Sequence, residues 1–439
     1  MKGSAALAAA TVDYLDELLG IRLPIRVRVW DGSEAGEADG VVVVLRSPAA
    51  LRYMMWSPGE LGVARAYVTG ALDVEGNLED GLSRLLSALN GRRARLGPAR
   101  AVRGVKLIAA MGCLGRPLPP PGSEARPRGR LHSRQRDAEV ISHHYDLSNE
   151  FYSLLLDPSM AYSCGYWTDD RPGYHLRDAQ KDKLDLICRK LALRPGARLL
   201  DIGCGWGSLT VHAARSYGAQ VTAVTVAAEQ EAFIRRRLAD EQVEHLVELR
   251  RCDYREVLSG PEGDFDAVTA IEMGEHVGES NYPAFLSGLR SKLKDQGRFL
   301  LQVMSRRGRH PGGGPFIERY IAPDMHMRPL AATVSLIEAA GFEVRDVHSM
   351  REHYARTIRS WTGHFERRWA EVVDLLGEER ARVWRLYLVG GALAFETNRM
   401  GVDQILGVRT GASGASGMSA TRAAWESGLD QRGLAAVAT

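Results

Sequence analysis

Cysteines are scarce in this 439-residue chain, and long apolar runs are absent from it. The five cysteines are scattered and form no Cys-x-x-Cys pair, so neither a disulfide framework nor a cysteine-based zinc site is expected. A reducing cytoplasm is the natural compartment for such a chain. No apolar run approaches the roughly 20 residues that a membrane span requires. If the protein handles lipid, we expect it to do so from the membrane surface.

The net charge of +3 is small, which excludes a uniformly basic or acidic surface. The positive charge is nevertheless concentrated between residues 92 and 136, in RRARLGPAR and RPRGRLHSRQR. Such a stretch fits a phosphate-bearing surface, either nucleic acid or anionic lipid headgroups. A solvated linker explains the same composition, and the residues alone leave both interpretations open.

The length predicts two domains rather than one. Residues 1–115 mix helical patterning with one clear strand and predict a smaller α+β domain. Residues 116–130 are basic and proline-rich, as in a linker. Residues 131–409 alternate short apolar strands with amphipathic helices, which predicts an α/β fold. The Gly/Ser/Ala-rich residues 410–439 predict a flexible tail. Strands of the α/β domain are expected at residues 197–203, 220–226, 265–271 and 298–304.

A glycine-rich loop, LLDIGCGWGSL (199–209), follows the first of these strands and runs into a helix. Glycines let the backbone approach a ligand closely, and the helix start offers free N–H groups. A nicotinamide site would require an acidic residue about 20 positions further on, but residues 222–227 contain none. The pattern Asp-x-Gly-x-Gly-x-Gly is instead typical of S-adenosylmethionine (SAM) methyltransferases. The predicted loop contacts are Asp201, Gly203, Gly205 and Gly207.

Three ionisable residues, Glu272, Glu275 and His276, follow directly on the apolar strand 265–271. At this position they could be metal ligands, a general base or a solvated strand end. Upstream of the glycine loop, the stretch YSCGYW (162–167) brings several aromatic rings together. Aromatic rings form a wall that tolerates a cation such as the SAM sulfonium.

Six stretches together resemble the cyclopropane-fatty-acyl-phospholipid synthase family. The similarity covers residues 131–409 and implies a class I SAM-dependent methyltransferase fold of the Rossmann-like type. Its stretches are HHYDLSNEFYSLLLD (143–157), YSCGYW (162–167), LLDIGCGWGSL (199–209), TVAAEQ (225–230), EMGEHVG (272–278) and HYARTIRSW (353–361).

The resemblance implies transfer of the SAM methyl group to a cis double bond, which leaves a carbocation. In the family a bound bicarbonate acts as base, held by a cysteine backbone, a glutamate, a histidine and a tyrosine. Carried over by motif, these positions predict Cys164, Glu275 and Tyr354, with Cys164 acting as a backbone donor. Glu272 and His276 are expected only to cap or orient their loop, and no metal is expected. The SAM contacts implied are Tyr162, Ser163, Gly203, Thr225, Gln230, Asp253, Tyr254 and Ile271.

This sequence departs from the family at the histidine position, which is occupied by Gln302. Glutamine can donate a hydrogen bond but cannot titrate, so the bicarbonate site is expected to be altered. This favours a methylene product, the precursor of a methyl branch, over a cyclopropane ring. A methyltransferase acting on a small nucleophile is the remoter alternative.

Residues 60–82 resemble the amino-terminal domain of the phospholipid-acting members, which the mycolic-acid enzymes lack. We therefore expect residues 1–115 to associate with lipid and the substrate to be an unsaturated phospholipid, not nucleic acid. A cytoplasmic protein, peripheral to the inner face of the membrane, follows from this interpretation. The resemblance also allows a homodimer and, for a methylene product, a partner reductase.

Overall fold

The computed structural model describes residues 4–89, 92, 97–127, 129–133, 136–137, 148–307 and 312–426. The start of the predicted motif 143–157 and the end of the predicted tail lie outside these residues. The chain divides into two compact units. Unit 1 comprises Met1–Ala125, Gly314–Tyr320 and Trp369–Leu393, and unit 2 comprises Arg126–Gly313, Ile321–Arg368 and Ala394–Thr439. The sequence predicts residues 314–320 and 369–393 within the 131–409 domain, whereas the structure groups them with unit 1.

Among its described residues, unit 1 contains a four-stranded sheet in the order β2–β1–β3–β4. The neighbours β1 and β3 are parallel, and the two outer pairs are antiparallel. The strands are β1 (Ile25–Val29), β2 (Glu34–Gly36), β3 (Val41–Leu45) and β4 (Leu72–Glu75). The helices from its first segment are α1 (Ser4–Leu19), α2 (Pro48–Trp56), α3 (Glu60–Val68), α4 (Leu78–Leu89) and α5 (Pro98–Ala110).

The core of unit 1 lies against one face of its sheet. Strand β1 accordingly alternates buried and half-buried residues, as a strand with one covered face does. Val27 and Val29 point into an apolar cluster with Tyr67 and Leu72. The later segments add Val389 and Leu393 to the same cluster, which explains why residues 369–393 belong to this unit. They contribute the short helices α12 (Pro315–Tyr320) and α15 (Trp369–Leu376) and most of α16 (Glu378–Glu396).

In the described part of unit 2 the sheet has seven strands, in the order β10–β11–β9–β8–β5–β6–β7. The five strands from β9 to β7 are parallel, while β11 runs antiparallel to both of its neighbours. This confirms the predicted α/β class. The strands are β5 (Arg198–Ile202), β6 (Gln220–Thr225), β7 (Val247–Arg251), β8 (Phe265–Ile271), β9 (Leu293–Arg306), β10 (Glu343–Ser349) and β11 (Met400–Val408).

Helices cover both faces of this sheet, so its central strands are buried along most of their length rather than at alternate residues. β5 and β8 are accordingly almost fully buried. The helices are α6 (Asn149–Leu155), α7 (Leu176–Lys190), α8 (Ser208–Tyr217), α9 (Ala228–Asp240), α10 (Tyr254–Leu258), α11 (Tyr282–Lys292), α13 (Leu330–Ala339), α14 (Arg351–Arg367) and α17 (Ala423–Glu426).

Strand register brings three distant segments together at one edge of the sheet. Ile271, the last residue of β8, pairs with Gln302 in β9, and Gln302 pairs with Gln404 in β11. Glu272, the next residue after β8, donates its backbone N–H to the carbonyl of Gln302 at 2.7 Å. The carboxyl ends of parallel strands are where α/β sheets bind ligands.

The described part of the tail differs from the expectation of flexibility over 410–439. Trp425 is buried in the same apolar cluster as β5 and α7, and Arg422 forms an ion pair with Asp346 at 2.9 Å. Aromatic burial and a charge pair thus fix a segment whose composition reads as disordered. Within the residues that the structure describes, no helix has the length and apolar character of a membrane span.

Candidate active site

The glycine loop after β5 has the backbone conformation that its glycines predict. Gly203, Gly205 and Gly207 have φ values of 76°, 55° and 79°, in the left-handed region that favours glycine. A Cβ on Gly203 would lie 2.8 Å from Met273 Cγ, whereas nothing lies within 4 Å of the same position on Gly205. Gly205 therefore presents bare backbone toward open space, as a ligand-cradling loop requires.

Asp201 stabilises this loop from within. Its two carboxylate oxygens accept hydrogen bonds from Thr210 Oγ1 (2.8 Å) and Thr269 Oγ1 (3.0 Å). Burial raises the pKa of Asp201, and the two hydroxyl bonds oppose that effect. Because both oxygens are engaged by the protein, Asp201 shapes the loop rather than offering a free carboxylate to a ligand.

The polar groups expected at the ends of β6 and β7 border the same space. Thr225 Oγ1 donates to Gln230 Oε1 at 2.7 Å and accepts from the backbone N–H of Ala227 at 3.2 Å. Asp253 caps α10 by accepting from the N–H of Arg255 at 2.8 Å. Burial raises the pKa of Tyr254 to about 12, so its phenol stays neutral.

One cavity of unit 2 brings together ten of the eleven predicted cofactor contacts. The exception is Gly207, where a Cβ would instead press on Ile234 Cγ1 at 3.1 Å, so this glycine serves the packing of α8 on its neighbour. The ten are Tyr162, Ser163, Asp201, Gly203, Gly205, Thr225, Gln230, Asp253, Tyr254 and Ile271.

The loop YSCGYW is fixed by α14, the helix that contains HYARTIRSW. Thr357 Oγ1 accepts hydrogen bonds from the backbone N–H of Gly165 and from the indole of Trp167, both at 3.1 Å. His353 Nδ1 accepts the backbone N–H of Trp167 at 3.0 Å. These bonds orient the preceding N–H, that of Cys164, toward the sheet.

Glu272 lies at the convergence of the predicted catalytic groups. Its Oε1 accepts from the backbone N–H of Cys164 at 2.9 Å and from Nε2 of Gln302 at 2.7 Å. Its Oε2 accepts from the Tyr354 hydroxyl at 2.5 Å. Burial raises the pKa of Glu272, while these three donors oppose the rise. Three of the four predicted catalytic residues thus meet at a carboxylate to which the sequence reasoning gave only an orienting role.

The fourth, Glu275, lies one turn further along and accepts from a different donor. Its Oε1 accepts from the backbone N–H of Met304 at 2.6 Å, and its buried Oε2 has no hydrogen-bond partner in the described structure. Burial, together with the negative charge of Glu272, raises the pKa of Glu275 to about 8. At neutral pH Glu275 is therefore mostly protonated, whereas the three donors around Glu272 favour the ionised form of that carboxyl group.

The cysteine is a backbone donor here and not a nucleophile. Burial raises the pKa of the Cys164 thiol well above its usual value, and the negative charge of Glu272 adds to the rise. Its Sγ lies 3.3 Å from the carbonyl oxygen of its neighbour Gly165. A thiol in such surroundings stays protonated and inert.

The bicarbonate that the family resemblance implies does not fit this arrangement. A bicarbonate would need the N–H of Cys164, a side-chain donor at position 302 and the Tyr354 hydroxyl. All three already donate to Glu272, so the protein's own carboxylate takes the donors that would hold the anion. The structure therefore disagrees with bicarbonate as a resident cofactor.

A buried lysine that the sequence reasoning missed compensates the negative charge. Lys183 is 1% exposed, and its Nζ donates to Ser163 Oγ at 2.9 Å. Burial lowers its pKa, and Glu272 and Asp157 act against that shift. Position 183 lies in a helix whose pattern marks it only as an inward-facing residue, so no local signal identifies its partner. Trp206 and Met273, which the prediction omitted, also line the cavity, as does His276, for which only a capping or orienting role was expected.

Aromatic rings enclose the site near Tyr354. The Tyr354 ring lies 4.5 Å from that of Phe395 and 6.0 Å from that of Trp361, which in turn lies 5.2 Å from Tyr162. Such rings exclude water and favour a positive charge. In the part of the chain that the structure describes, no cluster of three or more His, Cys, Asp or Glu side chains could hold a metal ion.

Comparison with known proteins agrees with this geometry. Residues 132–405 match the family described as mycolic acid cyclopropane synthetase. The chain belongs to this family. A probable fatty acid methyltransferase of Mycobacterium tuberculosis is 38% identical over 397 residues, which is 88% of this chain and 91% of that protein. The tuberculostearic acid methyltransferase of the same organism is 31% identical and covers 93% of both chains.

Among solved structures, the mycolic acid cyclopropane synthase CmaA1, in complex with SAH and CTAB, superposes with a TM-score of 0.57 at 29% identity. The match covers 98% of that enzyme but 62% of this family member. The chain is thus a SAM-dependent methyltransferase of the cyclopropane synthase family, with the class I fold expected from its sequence.

Proposed function

We propose that this enzyme adds a one-carbon unit to the cis double bond of an unsaturated phospholipid acyl chain and forms a methylene branch. The observation that carries the proposal is the buried Glu272 cluster, enclosed by aromatic rings beside the cofactor cavity. A methyltransferase that modifies an amine or hydroxyl uses a nucleophile with its own lone pair. It forms no carbocation and therefore has no need of a water-free ring of aromatic side chains around the reacting carbon.

The cofactor cavity fits SAM by its chemistry. The open face of Gly205 and the side chains of Thr225 and Gln230 would hold it, and no acidic residue ends β6 as a nicotinamide ribose would demand. Bound SAM supplies a methyl group as an electrophile. An alkene that takes up this group becomes a carbocation, which has no lone pair to neutralise it.

The residues around Tyr354 match the needs of that cation. The rings of Tyr354, Trp361 and Phe395 have electron-rich faces that attract a positive charge. Trp361 is only 1% exposed, so water is excluded from this wall of rings. Exclusion of water prevents its addition to the cation, which would give an alcohol. The nearby carboxylate of Glu272 also lowers the energy of a positive charge in this apolar space.

The choice of product depends on the time that the cation survives. Immediate loss of a proton from the new methyl group closes a cyclopropane ring. Alternatively, a 1,2-hydride shift first moves the positive charge to the carbon that carries the new methyl group. Loss of a proton from that methyl group then gives a methylene branch. Because Gln302 replaces a titratable histidine, one proton acceptor fewer lies beside the cation. This favours the slower route, in which the hydride shift precedes proton loss and gives the methylene branch.

Similarity to the tuberculostearic acid methyltransferase over 93% of the chain supports the same choice. Cyclopropane formation is the second candidate, since the matched family and CmaA1 are named for it.

Unit 1 supports phospholipid as the substrate. The similarity to CmaA1 covers 62% of this chain, whereas the similarity to the fatty acid methyltransferase covers 88%. Unit 1 also carries large exposed apolar side chains, which a lipid-binding surface would require. Trp56 and Leu114 are 52% and 57% exposed, and the Trp56 indole donates to the carbonyl of Gly115, the residue after Leu114, at 3.0 Å.

Proton NMR of the product tests the proposal directly. Purified enzyme is incubated with SAM and vesicles of a cis-monounsaturated phospholipid, and the extracted lipid is examined. Mass does not distinguish the candidates, because a cyclopropane and a methylene branch are isomers. Vinylidene protons would support the proposal, and upfield ring protons would establish the cyclopropane synthase instead. No new lipid signal, with SAM consumed only when a small amine or hydroxyl compound is present, would contradict both.

A further inference from the structure

The carboxylate of Glu272 stands in the place where the family resemblance puts a bound anion. It engages the backbone of Cys164, the amide of Gln302 and the hydroxyl of Tyr354. Gln302 is in turn fixed by Gln404, whose Nε2 donates to Gln302 Oε1 at 3.0 Å. The donor set is thus complete and oriented around a carboxylate that the chain itself supplies.

The backbone of Glu272 is held in a conformation that a glutamate adopts at a cost. Its φ is 51°, in the left-handed region, where a residue with a Cβ is roughly 1–2 kcal/mol less stable than in its usual regions. Its N–H is fixed by the carbonyl of Gln302. Strain of this kind persists where the surrounding structure over-determines it, which is typical of functional positions. A glycine would adopt the same backbone without strain.

Glu272 also has access to the reaction space, which Glu275 lacks. Glu272 lines the cavity together with Gly203, Gly205 and Ile271. Glu275 is fully buried and is bonded to the backbone of Met304. Of the two carboxyl groups, Glu272 is therefore the one that can exchange a proton with a bound molecule.

We propose that Glu272 is the proton acceptor of the reaction and replaces bicarbonate. This inference rests on the proposed function, since it assumes a carbocation in the cavity. A C–H bond of the new methyl group breaks, and its electron pair becomes the π bond of the methylene branch or the third ring bond of a cyclopropane. The proton forms an O–H bond with the Glu272 carboxylate and passes to solvent after the product leaves.

Two substitutions distinguish the effect of the Glu272 carboxylate from the effect of its side-chain volume. Glu272→Gln keeps the side-chain volume but removes the proton acceptor, and we expect the rate on phospholipid vesicles to fall about 10²–10⁴-fold. Glu272→Gly removes the side chain, relieves the backbone and frees the three donors. In carbon-dioxide-free buffer we expect it to be similarly impaired, and added bicarbonate should restore part of its rate. Glu262→Gln, in the exposed loop before β8, is the matched control and should keep the wild-type rate.

Bicarbonate dependence gives the decisive comparison. The wild-type rate should not change when bicarbonate is removed or added, and Glu272→Gln should not respond either, because its amide still fills the site. SAM binding by both variants, measured by calorimetry, shows that they are folded. Gln242→Gly controls for the relief of strain, because Gln242 is also left-handed but is exposed and lies outside the site.

The inference would be overturned if the wild-type enzyme required bicarbonate, if Glu272→Gln kept the wild-type rate, or if bicarbonate failed to stimulate a Glu272→Gly variant that binds SAM. These results are distinct from failure of the proposed function. If the proposed function were wrong, the wild-type enzyme would form no one-carbon lipid product under any bicarbonate condition.

Discussion

Gln404 donates a hydrogen bond to Gln302 Oε1 at 3.0 Å and thereby turns the Gln302 amide nitrogen toward Glu272. The donation from Gln302 Nε2 to Glu272 Oε1 at 2.7 Å completes the chain. An amide suits this position because it accepts on one side and donates on the other without carrying charge. Gln302 therefore orients the carboxylate but does not compete with it for protons.

Replacing Gln302 by histidine should change the product. A histidine adds a second group that can accept a proton beside the cation, so the cation is quenched before the hydride shift. We expect Gln302→His to shift the product from a methylene branch toward a cyclopropane, measured as the ratio of vinylidene to ring protons. Gln242→His, at an exposed position, should leave the ratio unaltered. An unchanged ratio in Gln302→His would remove the main support for the methylene assignment.

The charge on Lys183 should be essential to the stability of unit 2. It is the buried cation that acts against the negative charges of Glu272 and Asp157. Removing one partner of a buried charge group leaves the others uncompensated, at a cost of about 3–5 kcal/mol. We expect Lys183→Met to lower the free energy of unfolding by this amount in urea titrations. Lys181→Met, two residues away and exposed, should have little effect, and equal stability of the two variants would contradict the prediction.

The pH dependence of stability should carry the signature of Glu275. Its pKa is raised from 4.5 to about 8 in the folded protein. Between these values the folded state holds a proton that the unfolded state has released, so stability falls as the pH rises from about 4.5 to about 8. Glu275→Gln, which cannot ionise, should lose this part of the slope and gain up to a few kcal/mol over the wild type at pH 8.

Thermal unfolding of both proteins at pH 5 and pH 8 measures this difference. The gap between variant and wild type should widen toward pH 8. A gap that is the same at both pH values would show that Glu275 does not titrate in this range. The amide of the variant can still accept the N–H of Met304, so loss of that bond does not confuse the comparison.

The fold was predictable because its signals are local, whereas the centre of the site was not. The apolar runs of β5 and β8 and the Asp-x-Gly-x-Gly-x-Gly loop each lie within a dozen residues. The partners of Glu272 lie 108, 30 and 82 positions away in the sequence. EMGEHVG contains two carboxylates, and the left-handed turn at Glu272 decides which of them faces the cavity. That turn depends on how the strand ends meet in the fold, so the local sequence does not reveal it.

The same reasoning explains the tail. Composition alone marks residues 410–439 as disordered, but one tryptophan changes the outcome for the described part of this segment. Trp425 is 5% exposed and packs against the core. Burial of this aromatic side chain, together with the Arg422–Asp346 ion pair, attaches the segment to the core of unit 2.

We expect the protein to bind anionic membranes through unit 1. Trp56 and Leu114 are both exposed. Arg52 lies on the same helix as Trp56, and its Nη2 donates to the carbonyl of Arg116 at 2.5 Å. Apolar side chains flanked by arginines are suited to an anionic lipid surface, where each cation contributes about 1 kcal/mol. We expect binding to phosphatidylglycerol vesicles to weaken at high salt and Trp56→Ala to reduce the affinity about tenfold.

Leu375→Ala is the matched control, because Leu375 is also an exposed apolar residue of unit 1, at 38% exposure. Its affinity for vesicles in a sedimentation assay should equal that of the wild type. Salt-insensitive binding that still requires Trp56 would assign the role to apolar insertion alone. Binding that neither salt nor Trp56→Ala alters would place the lipid surface elsewhere, because then neither the arginines nor the exposed indole contributes to the contact.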